Sequence, residues 1–342
     1  METASGTATP PACRSGGFFQ ESNRMNKEQQ WWWPLALHEE LGTQPLAVTL
    51  LGRRLVLWRN AAGTPVLMND QCPHRGAQLS LGHVQGDTLQ CPYHGWRFDA
   101  DGQCVEIPAL PGFTPPAGHK ACKHPVMEQH GLIWGAVGDA AYAPPALPEL
   151  PARRLIYGPF DVATSAPRAV ENFLDTAHFA YVHRGWLGEA NHPEVPHYDV
   201  THTADGRPLI EAYKAWQPRA TASSQEGGWV TYRYEVLSPY SAVLSKQPDD
   251  GGPQDSYTIW ARPDTEESCR LWFAQYTSDT TTPDEELRSF QVTIFSQDQP
   301  VLESQRPRRL PISGGEVHSA ADRLSAAYRR YLQNCGVTFG VC

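Results

Sequence analysis

Two short cysteine–histidine pairs lie in the first third of the chain. His74 follows Cys72 by two residues, and His94 follows Cys91 by three. Two thiolates and two imidazoles can bind a tetrahedral Zn²⁺ ion. They can also bind an iron–sulfur cluster in which two histidines replace two cysteines on one iron. The spacing alone leaves both readings open, although zinc sites more often pair Cys with Cys and His with His, whereas each pair here supplies one of each.

A second group of ligand-type side chains lies near the middle of the sequence. His178 and His183 follow Asp175 closely, and mononuclear Fe(II) that activates oxygen is typically bound by two histidines and one carboxylate. Histidines five residues apart are rotated by about 500° on a regular helix. Both therefore reach one metal only if the helix ends or bulges near Tyr181. Asp175 precedes His178 by three residues, so its carboxylate can contact the imidazole and fix its orientation.

The third ligand, a carboxylate, must come from far along the chain. The late segment predicted to be helical offers five candidates. They are Asp284, Glu285, Glu286, Asp298 and Glu303. Sequence spacing does not choose among them.

The composition excludes several classes of function. A net charge of -9 over 342 residues argues against a nucleic-acid-binding surface, and no run of residues is apolar enough to span a membrane. No signal-peptide pattern is present, so the eight cysteines indicate metal-bound or free thiols in a reducing compartment, and we predict a cytoplasmic protein. The chain has no G-x-G-x-x-G strand–turn–helix unit for a nicotinamide or flavin. Because the chain itself would not bind such a cofactor, a separate reductase must supply electrons to its metal sites.

The elements that position these residues predict an α+β protein. Residues 1–30 are polar and predict a disordered leader, with Met25 as an alternative start. Residues 31–150 predict a small all-β domain, after a short helix around Leu35 to Leu41, and a proline-rich stretch near its end reads as a linker. Residues 151–342 predict a catalytic domain with an antiparallel sheet. Its predicted helices are 169–182, 284–304 and 320–332.

The segments around both sites resemble those of the Rieske non-haem iron oxygenases. The strings Cys72-Pro73-His74-Arg75-Gly76 and Cys91-Pro92-Tyr93-His94-Gly95-Trp96 resemble the two cluster-binding loops of that family. Ala77 and Tyr93 stand where respiratory-chain Rieske proteins carry disulfide-forming cysteines. The segment from Glu171 to His183 resembles the family's iron-binding signature. The segment from Ser296 to Gln305 resembles, more loosely, the one that carries the third ligand.

The resemblance implies specific roles. Cys72, His74, Cys91 and His94 would bind a [2Fe-2S] cluster, and His178, His183 and Asp298 would bind Fe(II), with Glu303 as the reserve. Asp175 would carry an electron between the two metal sites, and Asn172 would lie near the iron. The family arrangement further implies a homotrimer, in which His94 faces Asp175 across a subunit interface. The catalytic domain would have the helix-grip type of fold.

The same resemblance predicts the reaction. The likeness is greatest to saxitoxin-pathway hydroxylases and to vanillate- and dicamba-type O-demethylases, seen for the former in the tail from Gly336 to Cys342. We therefore predict C–H monooxygenation of a small organic molecule with O₂, as hydroxylation or oxidative demethylation. NAD(P)H would supply electrons through a separate reductase, with or without a ferredoxin. Two alternatives stay open: an arene cis-dihydroxylating dioxygenase, and a non-catalytic Rieske electron-transfer or zinc-binding protein.

Overall fold

The computed structural model describes residues 27–219, 222 and 226–342. Its small N-terminal part is built from eleven short strands, among the residues described. They are β1 Trp33–Leu37, β2 Leu46–Leu50, β3 Arg53–Arg59, β4 Pro65–Asn69, β5 His83–Gln85, β6 Thr88–Gln90, β7 Arg97–Phe98, β8 Cys104–Glu106, β9 Lys123–His124, β10 Val126–Gln129 and β11 Leu132–Gly135. They form three antiparallel sheets in the orders β1-β11-β10, β2-β3-β4-β9 and β5-β6-β7-β8. The predicted all-β architecture of this part is confirmed.

One expectation near the start of this part was wrong, and a second extends beyond the described residues. The helix predicted around Leu35 to Leu41 is strand β1 followed by a 3-10 turn at His38–Glu40, because β1 pairs with β11 and is buried throughout. A disordered leader was predicted over residues 1–30, and residues 1–26 of it lie outside the described residues. Its last four residues form a 3-10 helix, Lys27–Gln30. That helix is held in place because the buried Glu28 carboxylate accepts hydrogen bonds from the backbone N–H groups of Thr338 and Phe339.

The C-terminal part is a large antiparallel sheet with helices beside it. The remaining strands are β12 Arg153–Val162, β13 Thr201–His202, β14 Pro208–Gln217, β15 Gly228–Ser238, β16 Ser241–Pro248, β17 Asp255–Thr265 and β18 Ser268–Thr277. They follow the order β12-β18-β17-β16-β15-β14-β13. Long strands rich in aromatic and β-branched residues are typical of such a sheet, and the predicted α+β class is confirmed. Residues 136–152 hold no helix or strand, and the domain boundary at 150 stays a prediction.

The helices differ from the predicted ones at the functional segment. The helices are α1 Ala166–Leu174, α2 Phe179–Val182, α3 Asp284–Ser304 and α4 Arg323–Cys335, the last after a 3-10 turn at Ala320–Asp322. The single helix predicted over 169–182 is therefore two helices, separated at residues 175–178. The predicted helix end near Tyr181 is confirmed, because α2 ends at Val182 with His183 as its C-cap. Asp175 ends α1 with an extended backbone. The predicted late helices are confirmed at 284–304 and, with small shifts, at 320–332.

The core joins the two parts of the molecule. Buried side chains of β1 and β3 pack in one cluster with side chains of α1, β17 and β18. The buried Arg262 of β17 donates to the backbone carbonyl of Leu35 in β1, at 2.6 Å. Helix α1 packs on β17, and α3 packs on β12. Within the described residues, no helix is both long and apolar enough to cross a bilayer.

Candidate metal centres and substrate cavity

The two cysteine–histidine loops have the same backbone shape. In each loop the cysteine N–H donates to the carbonyl five residues later, Ala77 or Trp96, at 2.8 Å. In each loop the cysteine carbonyl also accepts from a glycine N–H four residues later. Those glycines, Gly76 and Gly95, have φ values of 74° and 72°, a left-handed conformation that glycine adopts without strain. The sequence repeat Cys-Pro-x-x-Gly thus folds into two matching loops.

The four predicted cluster ligands divide into a buried pair and an exposed pair. Cys72 and Cys91 are each 2% exposed and contact one another, whereas His74 and His94 are exposed, with ring centroids 4.6 Å apart. Neither cysteine is in a disulfide. Burial, together with the Cys91 thiol, raises the pKa of Cys72 to about 12, so ionisation of this thiol requires a cation beside it. Slight desolvation and the neighbouring His94 lower the pKa of His74, which favours the neutral imidazole that ligates metals.

Trp96 orients one of the exposed imidazoles. Its indole stacks on the ring of His74, with centroids 4.5 Å apart and planes 5° from parallel. The ring of His119 stacks on it as well, at 5.3 Å. The sequence had placed Trp96 only as part of a motif, and His119 carried no local signal because it lies 23 residues beyond the second loop. This donor set suits a two-iron cluster whose cysteine side is buried and whose histidine side reaches the surface.

His178, His183 and Asp298 converge on one point. The Nε2 atoms of the two imidazoles are 3.1 Å apart, and Asp298 Oδ1 lies 3.6 Å from His178 Nε2 and 3.3 Å from His183 Nε2. The two histidines flank the one-turn helix α2, at its N-cap and C-cap positions. This is how residues five apart reach one point despite the helical rotation. Among the described residues these three form the one group of at least three His, Cys, Asp or Glu side chains close enough to share an ion.

The reserve ligand lies elsewhere. Glu303 Oε1 accepts from the backbone N–H of Ala163 and from the Gln299 amide, so its carboxylate serves the junction between β12 and α3. Asp298, one and a half turns earlier on α3, is buried and turned toward the histidines. The structure therefore brings Asp298, and not Glu303, to the predicted iron site.

Asp175 and Asn172 lie against this group from α1. Asp175 Oδ2 is 3.7 Å from His178 Nδ1, and its Oδ1 accepts from the backbone N–H of Ala177 at 2.6 Å. Against the opposing effect of burial, the contact with His178 holds the pKa of Asp175 below its usual value, and Asp175 raises the pKa of His178. The Asn172 amide donates to Asp298 Oδ1 at 3.4 Å. Asp175 remains about one-third exposed, so it also faces the surface.

Gln297 is a contact that sequence reasoning missed. Its Oε1 lies 2.8 Å from His183 Nδ1, which leaves Nε2 of this buried imidazole free to face the group. An oxygen acceptor on the second nitrogen is the usual way to orient a ligating histidine. The Nδ1 atom of His178 faces Asp175, and that of His183 faces Gln297. Two imidazoles oriented in this way, together with one carboxylate, fit a mononuclear Fe(II) site.

An apolar cavity opens onto the three converging side chains. Its empty volume is about 820 Å³, a figure that includes the open mouth. Most of its wall is aromatic or aliphatic. These wall residues are Phe160, Phe173, Phe179, Leu187, Leu244, Ile259, Phe273, Phe290, Ile294 and Phe295. The predicted iron ligands therefore lie at the wall of a pocket that could bind an organic substrate.

Family models match both parts of the chain. Residues 31–117 match the model described as Rieske [2Fe-2S] domain. Residues 162–337 match the model described as Vanillate O-demethylase oxygenase C-terminal domain. The first match contains both cysteine–histidine loops, and the second contains the three converging ligands.

Curated relatives extend over most of the chain. The methylxanthine N1-demethylase NdmA of Pseudomonas putida is 31% identical over 308 residues, which cover 84% of this chain and 82% of the relative. The dicamba O-demethylase oxygenase component of Stenotrophomonas maltophilia is 31% identical over 307 residues, 83% of this chain and 90% of the relative. Both names describe removal of a methyl group, from nitrogen in one and from oxygen in the other.

Solved structures agree with these relatives. NdmA from P. putida CBB5 with caffeine superposes with a TM-score of 0.78 at 29% identity, over 89% of this chain and 90% of that one. Dicamba monooxygenase bound to dicamba gives a TM-score of 0.73 at 27% identity, over 90% and 96%. The chain thus belongs to the Rieske non-haem iron oxygenases, as an oxygenase component related to the N- and O-demethylases.

Proposed function

We propose that this oxygenase component removes a methyl group from oxygen or nitrogen of a small, largely apolar molecule by hydroxylating that methyl carbon. The observation that carries the proposal is the convergence of His178, His183 and Asp298 at the wall of the apolar cavity. Relatives named as methylxanthine, dicamba and vanillate demethylases support it. Hydroxylation of such a carbon gives an unstable product that loses formaldehyde, so one oxygenation completes a demethylation.

In this proposal His178, His183 and Asp298 hold Fe(II), and Cys72, His74, Cys91 and His94 hold the cluster. When bound, these metals supply O₂ activation, with electrons delivered one at a time. The protein contributes orientation and the exclusion of water. Asp175 contacts Nδ1 of His178, and Gln297 contacts Nδ1 of His183. These contacts orient the two imidazoles. The aromatic wall keeps bulk water from the substrate's reacting carbon, because Phe160, Phe273 and Phe295 pack together in the wall of the same cavity.

Labelled dioxygen tests the reaction. The balanced equation takes one substrate, one O₂, two electrons and two protons to the demethylated product, formaldehyde and water. With ¹⁸O₂ and a methoxy-arene or N-methyl substrate, we expect one labelled atom in the released formaldehyde and none in the product ring. Two labelled atoms on the ring would instead show arene cis-dihydroxylation. No substrate-dependent O₂ consumption in iron-loaded protein with a working reductase would point to a non-catalytic electron carrier.

We further propose a homotrimer in which the cluster of one subunit serves the iron of the next. The support is that one residue of each metal site reaches the surface. The His94 ring is exposed at the proposed cluster site, and the Asp175 carboxylate is partly exposed beside the proposed iron ligands. Large apolar side chains are exposed near each. Tyr93 is 63% exposed beside His94, and Tyr181 is 69% exposed beside the iron ligands. Tyrosine is enriched at surfaces that another protein covers.

Subunit mixing tests this arrangement. A His94→Ala chain lacks a cluster ligand, and a His178→Ala chain lacks an iron ligand, so each homo-oligomer should be inactive. Mixed oligomers should recover activity, because some interfaces join an intact cluster to an intact iron site. A trimer of the separate variants with no recovery after mixing would contradict transfer between subunits. We also propose a cytoplasmic location, where a reductase using NAD(P)H is available.

A further inference from the structure

The cavity carries one positive charge that the iron site does not use. Lys246, on β16, lines the cavity and is 3% exposed. Apart from the two histidines of the iron site, it is the one basic side chain among the cavity-lining residues that the structure describes. Its neighbours across the sheet are Tyr232 on β15 and Asp255 on β17. A lysine so deeply buried is uncommon unless its charge is matched.

No carboxylate in the described part of the chain forms an ion pair with Lys246 within 4.0 Å. Its Nζ instead lies 5.1 Å from the centre of the Tyr257 ring. Burial lowers the pKa of Lys246 to about 8, while the charge of Asp255 opposes that shift. The side chain is therefore mainly an ammonium at neutral pH. A buried ammonium that lacks a partner is costly, and a bound anion removes that cost.

The nearest carboxylate is held by other groups. Asp255 Oδ2 accepts from the Tyr257 hydroxyl at 2.9 Å, and that hydroxyl accepts from the Gln275 amide at 3.1 Å. The Tyr157 hydroxyl donates in turn to the Gln275 side-chain oxygen. This buried chain of hydrogen bonds fixes Asp255 toward Tyr257. The second oxygen of Asp255 is buried without a hydrogen-bond partner, so a purely structural ion pair with Lys246 is the rival explanation.

We propose that Lys246 binds an anionic oxygen of the substrate, a carboxylate or a sulfonate, and thereby sets which end of the substrate faces the iron ligands. This inference rests on the proposed function, because it assigns the polar anchor of that same cavity. The aromatic wall would take the body of the substrate, and the methyl group would lie toward His178, His183 and Asp298.

Binding to the holoenzyme under anaerobic conditions tests the proposal without turnover. The probes are para-methoxybenzoate and para-methoxybenzenesulfonate, each compared with its neutral primary amide by calorimetry. A charge-assisted hydrogen bond predicts that an acid binds about tenfold or more tightly than its amide. Lys246→Met should abolish that preference while leaving amide affinity within about threefold. Wild-type protein that binds no acid more tightly than its amide would overturn the proposal.

Two further variants separate substrate binding from a structural ion pair. Asp255→Asn leaves the ammonium without its opposing charge, so acid affinity should be kept or increased. The double variant Lys246→Met/Asp255→Asn leaves no stranded charge and should fold even where Lys246→Met alone does not, and it too should lose the preference for acids. Lys214→Met is the matched control, because Lys214 lies on the same sheet but is exposed and pairs with Asp249. Lys246 variants that keep the preference for acids would support the structural pair and refute the proposal.

The binding result is independent of the labelling result. Failure of the ¹⁸O₂ experiment with a preserved preference for acids would overturn the proposed reaction but not the anchor. Normal oxygenation without that preference would overturn the anchor alone.

Discussion

Removing the Gln297 side-chain oxygen should weaken iron binding while leaving the cluster intact. His183 can present Nε2 to a metal only with the proton on Nδ1, where Gln297 Oε1 accepts it at 2.8 Å. His183 is 1% exposed, so in Gln297→Leu water does not replace the lost acceptor. An unpaired buried donor costs ~1–3 kcal/mol. In the iron-free state the imidazole can change tautomer and avoid this cost, so the cost falls on the iron-bound state.

That cost corresponds to a loss of iron affinity of about 5- to 150-fold, at 1.4 kcal/mol for each factor of ten. The assay is anaerobic Fe(II) titration of iron-depleted protein against a competing chelator, with the visible spectrum of the cluster as the internal check on folding. Gln299→Leu is the control, since Gln299 lies on the same helix but donates to Asp161 and Glu303. Equal iron affinity in Gln297→Leu and in the control would refute the assignment of Gln297 as a positioning residue.

Three other substitutions have defined outcomes. Asp175→Asn should keep both metals but slow substrate-dependent oxidation of the reduced cluster by on the order of 100-fold, as followed by stopped-flow absorbance. Gly188→Ala should lower iron occupancy, because its Cβ would lie 2.5 Å from the backbone carbon of Phe179, at the start of helix α2 between the two histidines. Asp279→Asn should lower the free energy of unfolding by ~1–2 kcal/mol at neutral pH, measured by urea denaturation, since four donors hold this carboxylate ahead of α3.

The Asp279 effect should depend on pH. Burial opposes the shift, but the hydrogen bonds from Thr281 and Thr282 hold the pKa of Asp279 well below its usual value. A lowered native-state pKa stabilises the fold above the unfolded-state pKa of about 3.9 and less as the pH falls further. The difference between wild type and variant should therefore shrink in acid. A difference that stays constant down to pH ~2 would contradict the role of the ionised carboxylate.

Each of the other two predictions has its own control. Gly228→Ala should leave iron occupancy unchanged, because no atom lies within 4 Å of its added Cβ. An equal loss in Gly188→Ala and Gly228→Ala would show that the close approach to α2 does not position the histidines. For Asp175→Asn, normal single-turnover oxidation of the cluster would contradict the electron path through this carboxylate.

The sequence singled out the four proposed cluster ligands because their loops are local. Each Cys-Pro-x-x-Gly unit closes on itself through backbone hydrogen bonds, so the motif carries both the ligands and their geometry. The two histidines of the second site were also visible, and the helix end near Tyr181 was predicted, but the earlier break at residues 175–178 was not. Asp175 leaves the helical conformation at the end of α1, and no Gly or Pro at that position announces it.

The remaining site residues depend on contacts between distant segments. Asp298 and Glu303 lie on one helix and differ little in local sequence, and only the packing of α3 on β12 turns Asp298 toward the histidines. Lys246 reads in sequence as one more strand residue. Its burial depends on the order of seven strands, which alternation of residue types does not determine. Strand β1 was mistaken for a helix for the same reason, since its pairing partner β11 lies about 100 residues later.

Metal and sulfide analysis of the purified chain, compared with His178→Ala, tests the central claim most directly. A Rieske cluster together with a mononuclear site predicts about three iron atoms and two acid-labile sulfides per chain, without zinc. His178→Ala should then hold about two irons and two sulfides with the visible spectrum of the cluster unchanged. A colourless protein that contains zinc and no sulfide, or a His178→Ala protein with the same iron content as wild type, would contradict the account.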